Sequence, residues 1–304
     1  MSRVIALSGG IGGAKLALGL SELLPPEELL VVANTGDDFE HLGLSISPDI
    51  DTLTYTLAGL DNEALGWGRR DETWSAMETL AALGGETWFR LGDRDLALHL
   101  ERTQALRAGE TLTEVTKRIS RRLGVGATLL PMSDDPVRTR ILTDDGWLDF
   151  QHWFVREQCK PRVREIAFHG VAQARPNPAL LAELSQQPRA IIICPSNPFI
   201  SVEPILALPG MRAAIMASGA PVIAVSPIIA GQAVKGPTAK MFTELGSVPS
   251  AAAVALRYGE LLTDFVMEPA DDQTGIRPRV HRAQTLMRTH QDKVALARTV
   301  LALA

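Results

Sequence analysis

The chain has little cysteine, no long apolar run and no surplus of positive charge, and each shortage removes a class of function. Its 304 residues include two cysteines. These, Cys159 and Cys194, are far apart and show no CxxC or Cys/His spacing, so neither a disulfide framework nor a structural zinc is expected, and a reducing cytoplasm suits them. No apolar stretch approaches the ~20 residues that span a bilayer. The N-terminus runs from Met-Ser-Arg into a short apolar stretch broken by glycines, which reads as a buried strand rather than a signal peptide. With 30 Lys and Arg against 35 Asp and Glu, the formal net charge is -5, and nucleic-acid binding is not expected. The six histidines form no HExxH or HxxxH pair and no GxSxG elbow occurs. Metalloprotease and serine hydrolase readings lose their main support.

What is present is core. At 46% hydrophobic and 21% charged residues, the chain can fill one large domain or two modest ones. RVIALS reads as a buried strand, Gly9 to Gly13 as a turn, AKLALGLSELL as a helix and LLVVAN as a second strand. That order is half of a doubly wound sheet, whose ligands gather outside the carboxyl ends of the strands. TLLPM, VREIAF, AIIICPS, PVIAVSP and DFVME read as further strands. From Trp74 to Gly124 apolar residues recur three and four apart, which predicts a helical insertion. It is followed by a hairpin, RTRILTDDGWLDFQHWFV, turned by Asp145-Gly146. PSAAAVALRYGELL and HRAQTLMRTHQDKVALARTVLALA read as late helices. The predicted fold is α/β: a doubly wound, Rossmann-like, mostly parallel sheet from residues 1–73 and 160–304, with residues 74–159 as helical insertion plus β-hairpin.

Two loops carry the chemistry. SGGIGGAK satisfies neither GxGxxG, which needs glycine where Lys15 stands, nor a Walker A, which needs glycine at Ala14 and Ser or Thr at Leu16. The mechanism survives without the motif. Gly9, Gly10, Gly12 and Gly13 let backbone N–H groups approach an anion faced by a helix N-terminus; the alternative is a tight turn kept small for packing. Further on, ANTGDDFEHLGLSISPDIDT holds Asp37, Asp38, Glu40, Asp49 and Asp51 with no Lys or Arg. A carboxylate ~5 Å from a phosphate charge repels it by about 3 kcal/mol at an effective dielectric near 20, and a helix terminus returns only ~0.3–1 kcal/mol. A divalent cation reverses the sign by binding both, and all-oxygen ligands favour magnesium or manganese over zinc. Asp49 and Asp51 also open the helix DIDTLTYTLAG, where acids cap.

LGDRDLALH sets Asp93, Arg94, Asp95 and His99 at a helix start, where an arginine among acids is ordinarily a solvated ion pair. PMSDDP places Asp134 and Asp135 in good turn chemistry. Ser196, Asn197, Ser226, Gly231, Lys235 and Gly236 lie at strand ends, where loops hold a nucleotide base and its phosphates. The tryptophans are core residues or a stacking surface for a flat heterocycle.

Taken together, SGGIGGAK, NTGDDFEHLGLSISPDIDT, LGDRDLALH, LLPMSDDPVRTR, PSNPF and SPIIAGQAVKGPTAK resemble the 2-phospho-L-lactate transferase family of coenzyme F-420 biosynthesis, in order over nearly the whole chain. The gluconeogenesis-factor proteins, regulatory binders of nucleotide sugars, share a glycine turn, but their acidic loop tends towards ADDGGSSG. They are the alternative reading. A nicotinamide dehydrogenase is disfavoured by the failed GxGxxG, and a deazaflavin carrier without activity is a further rival.

The resemblance implies a Mg2+-dependent transfer onto Fo, 7,8-didemethyl-8-hydroxy-5-deazariboflavin. The donor would be a guanosine diphosphate diester of a three-carbon acid, of phospholactate or phosphoenolpyruvate type, made by a partner guanylyltransferase, and GMP would leave. It also implies a homodimer, and residues 74–159 covering the deazaflavin. Carried over, Asp51 would meet Fo and metal, Arg94 would meet Fo, and Asp38 would join Asp51 on the metal. Asp37, Asp38 and Asp51 would form the catalytic loop. Gly9, Gly10, Gly12, Gly13, Ser196, Asn197, Ser226, Gly231, Lys235 and Gly236 would hold the guanosine and its phosphates. On this reading Asp51→Asn leaves the fold intact and lowers turnover by ~10²-fold.

Overall fold

The computed structural model describes residues 2–63, 65–234 and 236–304. In chain order the strands are β1 (Val4–Ser8), β2 (Leu29–Ala33), β3 (Phe39–His41), β4 (Leu44–Ile46), β5 (Thr128–Pro131), β6 (Arg138–Thr143), β7 (Gly146–Asp149), β8 (Glu165–His169), β9 (Ala190–Ile193), β10 (Val222–Val225), β11 (Ile228–Ile229), β12 (Gln232–Ala233), β13 (Asp264–Met267) and β14 (Arg279–Arg282). The helices are α1 (Gly10–Ser21), α2 (Pro48–Leu57), α3 (Ser75–Ala82), α4 (Asp93–Arg107), α5 (Leu112–Arg122), α6 (Pro178–Ser185), α7 (Glu203–Leu206), α8 (Met211–Ala217), α9 (Thr238–Glu244), α10 (Ala251–Tyr258) and α11 (His290–Leu301).

Seven strands pair in the order β14-β13-β10-β9-β1-β2-β5. Every pairing is parallel. Strands β1, β2, β9, β10 and β13 are buried along their whole length, which is why they read as continuous apolar runs. Alternate residues serve two cores. Ile5, Leu7, Leu30, Val32, Ile191 and Ile193 pack on one face with Trp153. Val4, Ala6, Leu29, Val31, Ala190 and Ile192 pack on the other with Leu16 of α1 and Leu296 of α11. From β1 the chain steps outward to β2 and β5; from β9 it steps outward the opposite way. The order therefore reverses between β1 and β9, and there the turn at Gly9 and the turn at Ser196 leave neighbouring strand ends, the crevice where such sheets bind ligands.

The doubly wound sheet, the helices over 74–124 and the hairpin stand as expected, with four differences. VREIAF does not join the main sheet: β8 is only partly buried and pairs antiparallel with β6 beside the hairpin. Conversely, β5 lies within residues 74–159 yet forms the edge of the main sheet beside β2, so that segment is not wholly peripheral. The hairpin turns at Asp144-Asp145, because Thr143 pairs with Gly146, whose φ of +109° only glycine adopts readily. Finally, β14 stands where the start of a helix was expected. Arg279 and His281, two apart as a strand requires, both hydrogen-bond the buried Asp264 carboxylate of β13, at 2.9 and 2.7 Å. No single helix among the described residues is long and apolar enough to cross a membrane.

The terminal helix is held by close backbone approach. Thr289 and Asp292 form a reciprocal cap at the start of α11, and α11 lies on α1 at Gly19, where a Cβ would sit 2.2 Å from the Lys293 carbonyl oxygen. Gly19→Ala is expected to push the two helices apart and cost roughly 1–3 kcal/mol, as overpacking does. Denaturant unfolding of the variant checks it; wild-type stability would show that the contact is not tight.

Candidate active site

A cavity of about 850 Å³ opens at the switch point, with the glycine turn, the acidic loop and an aromatic wall around it. Gly10 begins α1 with φ +63°, and its N–H donates to Asp49 Oδ1 at 2.6 Å. The Gly9 N–H donates to Ser196 Oγ at 3.3 Å. A Cβ on Gly12 would lie 2.3 Å from the Pro195 carbonyl oxygen, so the β9 loop can close on the turn only because glycine stands there. Gly9, Gly10 and Gly12 line the cavity, whereas Gly13 packs against Ser8 and Ser196. No α1 side chain caps that helix. Asp49, from the first turn of α2, supplies the carboxylate to its neighbour's N-terminus instead.

The other carboxylates divide sharply. Asp37, Asp38, Asp49 and Asp51 are all buried. Asp49 is fully answered, its second oxygen accepting from Asn34 Nδ2 at 2.8 Å. Asp51 is gripped by both Nη atoms of Arg102, the Nη1 bond being 3.0 Å. Burial works against the Arg102 guanidinium, but the Asp51 carboxylate beside it, helped by Asp38 and Tyr55, raises its pKa on balance. Asp38 Oδ2 accepts from Ser47 Oγ at 2.8 Å, whereas Asp38 Oδ1 and Asp37 Oδ1 have no partner. Burial pushes the Asp37 carboxyl well above the usual range, with the Asp49 charge adding to it. Burial likewise raises Asp38 to about 7 and Asp49 to about 6.

Asp37, Asp49 and Asp51 line the cavity; Asp38 does not. One orphaned carboxylate oxygen on the wall, Asp37 Oδ1, and a second in the same loop, Asp38 Oδ1, fit an oxygen-seeking cation. Among the described residues no three His, Cys, Asp or Glu side chains form a ready cage, so such an ion would complete its shell with water and substrate oxygens, as magnesium does. The Arg102 grip also changes one expectation. Asp51→Asn would leave a fully buried guanidinium short of its countercharge, and breaking a buried pair costs about 3–5 kcal/mol, so that substitution does not leave the fold untouched.

Helix α4 presents a polar face. Asp95, His99 and Arg102 recur at helical spacing and are all buried. Asp95 accepts from the Tyr55 hydroxyl at 2.5 Å, and His99 Nδ1 lies 3.7 Å from Asp51 Oδ2. Burial pulls His99 down to about 4 and pushes Asp95 up to about 7. Arg94, one residue out of phase, is exposed and does not line the cavity; Asp95 and His99 do. Tyr55 and Arg102 were not anticipated from sequence. Their signal was there: polar residues 95, 99 and 102 repeat on one face of a helix that otherwise had no reason to bury them.

Trp88, Phe89, Phe150 and Phe154 make an apolar wall, Phe150 and Phe154 stacking at 5.3 Å and 11°. Such a surface suits a planar heterocycle. Trp153 is core. Ser196, Asn197, Ser226 and Gly236 reach the cavity from the strand-end loops. Gly231 lies outside the cavity wall, with φ +74°, in the turn between β11 and β12, and Lys235 lies outside the described residues.

A model of the family described as 2-phospho-L-lactate transferase CofD matches residues 4–297. The chain is 42% identical over 316 residues to a phosphoenolpyruvate transferase of Streptomyces griseus, covering 99% of this chain and 98% of that one. It is 39% identical over 303 residues to a 2-phospho-L-lactate transferase of Methanosarcina mazei, with 98% and 99% covered. A crystal structure of a UPF0052-family protein from Bacillus halodurans matches with a TM-score of 0.62 at 14% identity, over 99% of this chain and 100% of that one; it shows a shared fold.

Asp95 sets a pH dependence. Unfolded, its carboxyl titrates near 3.9; folded, near 7. Its contribution to stability is whole below pH ~4 and lost as pH rises through about 7. In EDTA, between pH 6.5 and 8, wild type is expected to lose roughly 2–4 °C more in Tm than Asp95→Asn, the shift that ~1 kcal/mol makes. His99 is common to both proteins and drops out of the difference. Parallel melting curves in the two would refute the raised carboxyl.

Proposed function

The chain belongs to the 2-phospho-L-lactate transferase CofD family, and from its site we propose a magnesium-dependent transfer of a phospho-three-carbon acid from a guanosine diphosphate diester to the terminal hydroxyl of Fo, releasing GMP. It is a transferase of coenzyme F-420 biosynthesis. The observation that carries the finer reading is a single cavity that joins an anion cradle, a carboxylate cluster with unmet oxygens and a flat aromatic wall. Diphosphate, metal and deazaflavin are the three chemistries those surfaces suit. A homodimer, Fo as acceptor and a partner guanylyltransferase belong to the same proposal. The relatives named for phosphoenolpyruvate and for phospholactate transfer bound the choice of acid.

In this reading the diphosphate lies against the glycine turn and Ser196 at the α1 N-terminus, beside Asp49, whose carboxylate takes the Gly10 N–H. Asp37 and Asp51, on the cavity wall, would hold the magnesium with water and phosphate oxygens completing its shell, Asp38 standing in the same loop, and the ion when bound would neutralise charge on the phosphates. Arg102 fixes the Asp51 rotamer, so the carboxylate meets its ligands without reorganising. Trp88 and Phe89 hold the ring system of Fo so that its ribityl hydroxyl reaches the phosphorus. Asp95, titrating near neutrality beside Tyr55, is placed to take a proton from the cavity. Arg94, exposed and off the cavity wall, is given no role in this arrangement.

Asp37→Asn separates function from stability. It replaces a buried carboxyl that has an unpartnered oxygen by a neutral amide, so the variant is expected to melt no lower than wild type in EDTA. Turnover at saturating magnesium and Fo should nevertheless fall by ~10²-fold or more, the scale of one preorganised electrostatic element. The assay incubates the protein with Fo, magnesium, GTP, a phosphoacid and a guanylyltransferase, and weighs the product. Turnover near wild type would remove Asp37 from the metal.

A further inference from the structure

Beside the main cavity lies a smaller one of about 350 Å³, and the two share Ile11, Lys15, Thr52, Trp67, Gly68 and Arg288. Three cations line it: Lys15 on α1, Arg288 just before α11 and Lys293 on α11. Lys293 is 3% exposed, yet its ammonium is met at 2.8 Å by a Glu63 side chain that is 74% exposed. An exposed partner is screened by water and offsets little of the cost of burying the charge. The Lys15 ammonium has the Met287 carbonyl oxygen at 3.0 Å. Burial, and then the Lys293 charge, pull its pKa down. Asp61 is the other acid on the wall, so three cations face two acids, and one of those acids, Glu63, lies largely in solvent. The annex is thus short of negative charge and open to the cavity in which the phosphates would lie.

We propose that this annex is an anion subsite and that it takes the carboxylate of the three-carbon acid on the donor, with Lys15, Arg288 and Lys293 as its specificity-determining residues. The inference rests on the transfer proposed above. A phosphate of the nucleotide is the other anion in reach, but the glycine turn already offers the diphosphate its cradle. Lys15 stands on α1 beyond that turn, where the acid, a few bonds from the phosphorus, would extend. The carboxylate would displace Glu63 from Lys293 and leave it to solvent.

Two matched probes separate the cases: the lactate diester of guanosine diphosphate, and guanosine diphosphate with a methyl ester on its terminal phosphate, which lacks only the carboxylated part. Calorimetric titration of the whole protein in magnesium is expected to show the lactate compound bound roughly tenfold or more tighter, the worth of a charge-assisted hydrogen bond. Arg288→Gln and Lys293→Gln should each erase most of that ratio and leave methyl-ester binding unchanged. Glu63→Gln, which removes the competing acid from an exposed position, should increase the ratio, and it and Arg288→Gln keep the test decisive if Lys293→Gln does not fold. A ratio near one in wild type, a ratio indifferent to all three variants, or equal loss of both probes would overturn the subsite, the last outcome placing a phosphate there. Turnover of the lactate compound with Fo, measured in parallel, judges the transfer reading alone.

Discussion

Two carboxylate oxygens, on Asp37 and Asp38, are buried without a partner, and the site is arranged around that unmet demand. A fold selected only for stability would not keep it, since an unpaired buried polar atom costs about 1–3 kcal/mol and more when charged. The neighbouring acids show the contrast. Asp49 is quieted by Asn34 and the Gly10 N–H, and Asp51 by Arg102. The chain thus has the means to satisfy buried acids and leaves two in the acidic loop unsatisfied, one of them, Asp37, on the cavity wall. Local violations of this kind are where stability is given up for function.

What the sequence revealed and what it hid have physical reasons. The inner strands were legible because a parallel sheet covered on both faces needs unbroken apolar runs, and the crevice followed from the order of strands and helices. Strands β8 and β14 were harder. A segment of four or five residues does not declare its partner, and the register of β14 depends on Asp264, a single buried acid on another strand. The acidic loop announced itself by charge, and the division of labour within it did not, because the groups that answer Asp49 and Asp51 are distant in sequence. Arg94 and Asp95 show how finely a motif must be read. One residue along a helix is a rotation of about 100°, enough to move a side chain from the cavity to solvent.

The thiols and the imidazole that could attack phosphorus directly are restrained. Cys194, at the end of β9 beside the crevice, is buried with its thiol pushed up to about 12, and Cys159 is raised by burial to about 11; neither offers a thiolate near neutral pH. His99, the histidine on the cavity wall, is neutral and wedged between Arg102 and Asp51, its ring nitrogen committed to that contact. A covalent phospho-enzyme through sulfur or imidazole nitrogen would need one of these groups freed. Direct passage between two bound substrates needs only that they be aligned and their charge met, and alignment alone can supply ~7–11 kcal/mol of a barrier. The rigid parts of this site, a glycine turn jammed against Pro195, a carboxylate locked by a guanidinium and a stacked aromatic wall, are parts that align. That is why the carboxylates that lack partners, rather than any thiol or imidazole, mark where the chemistry of this chain resides.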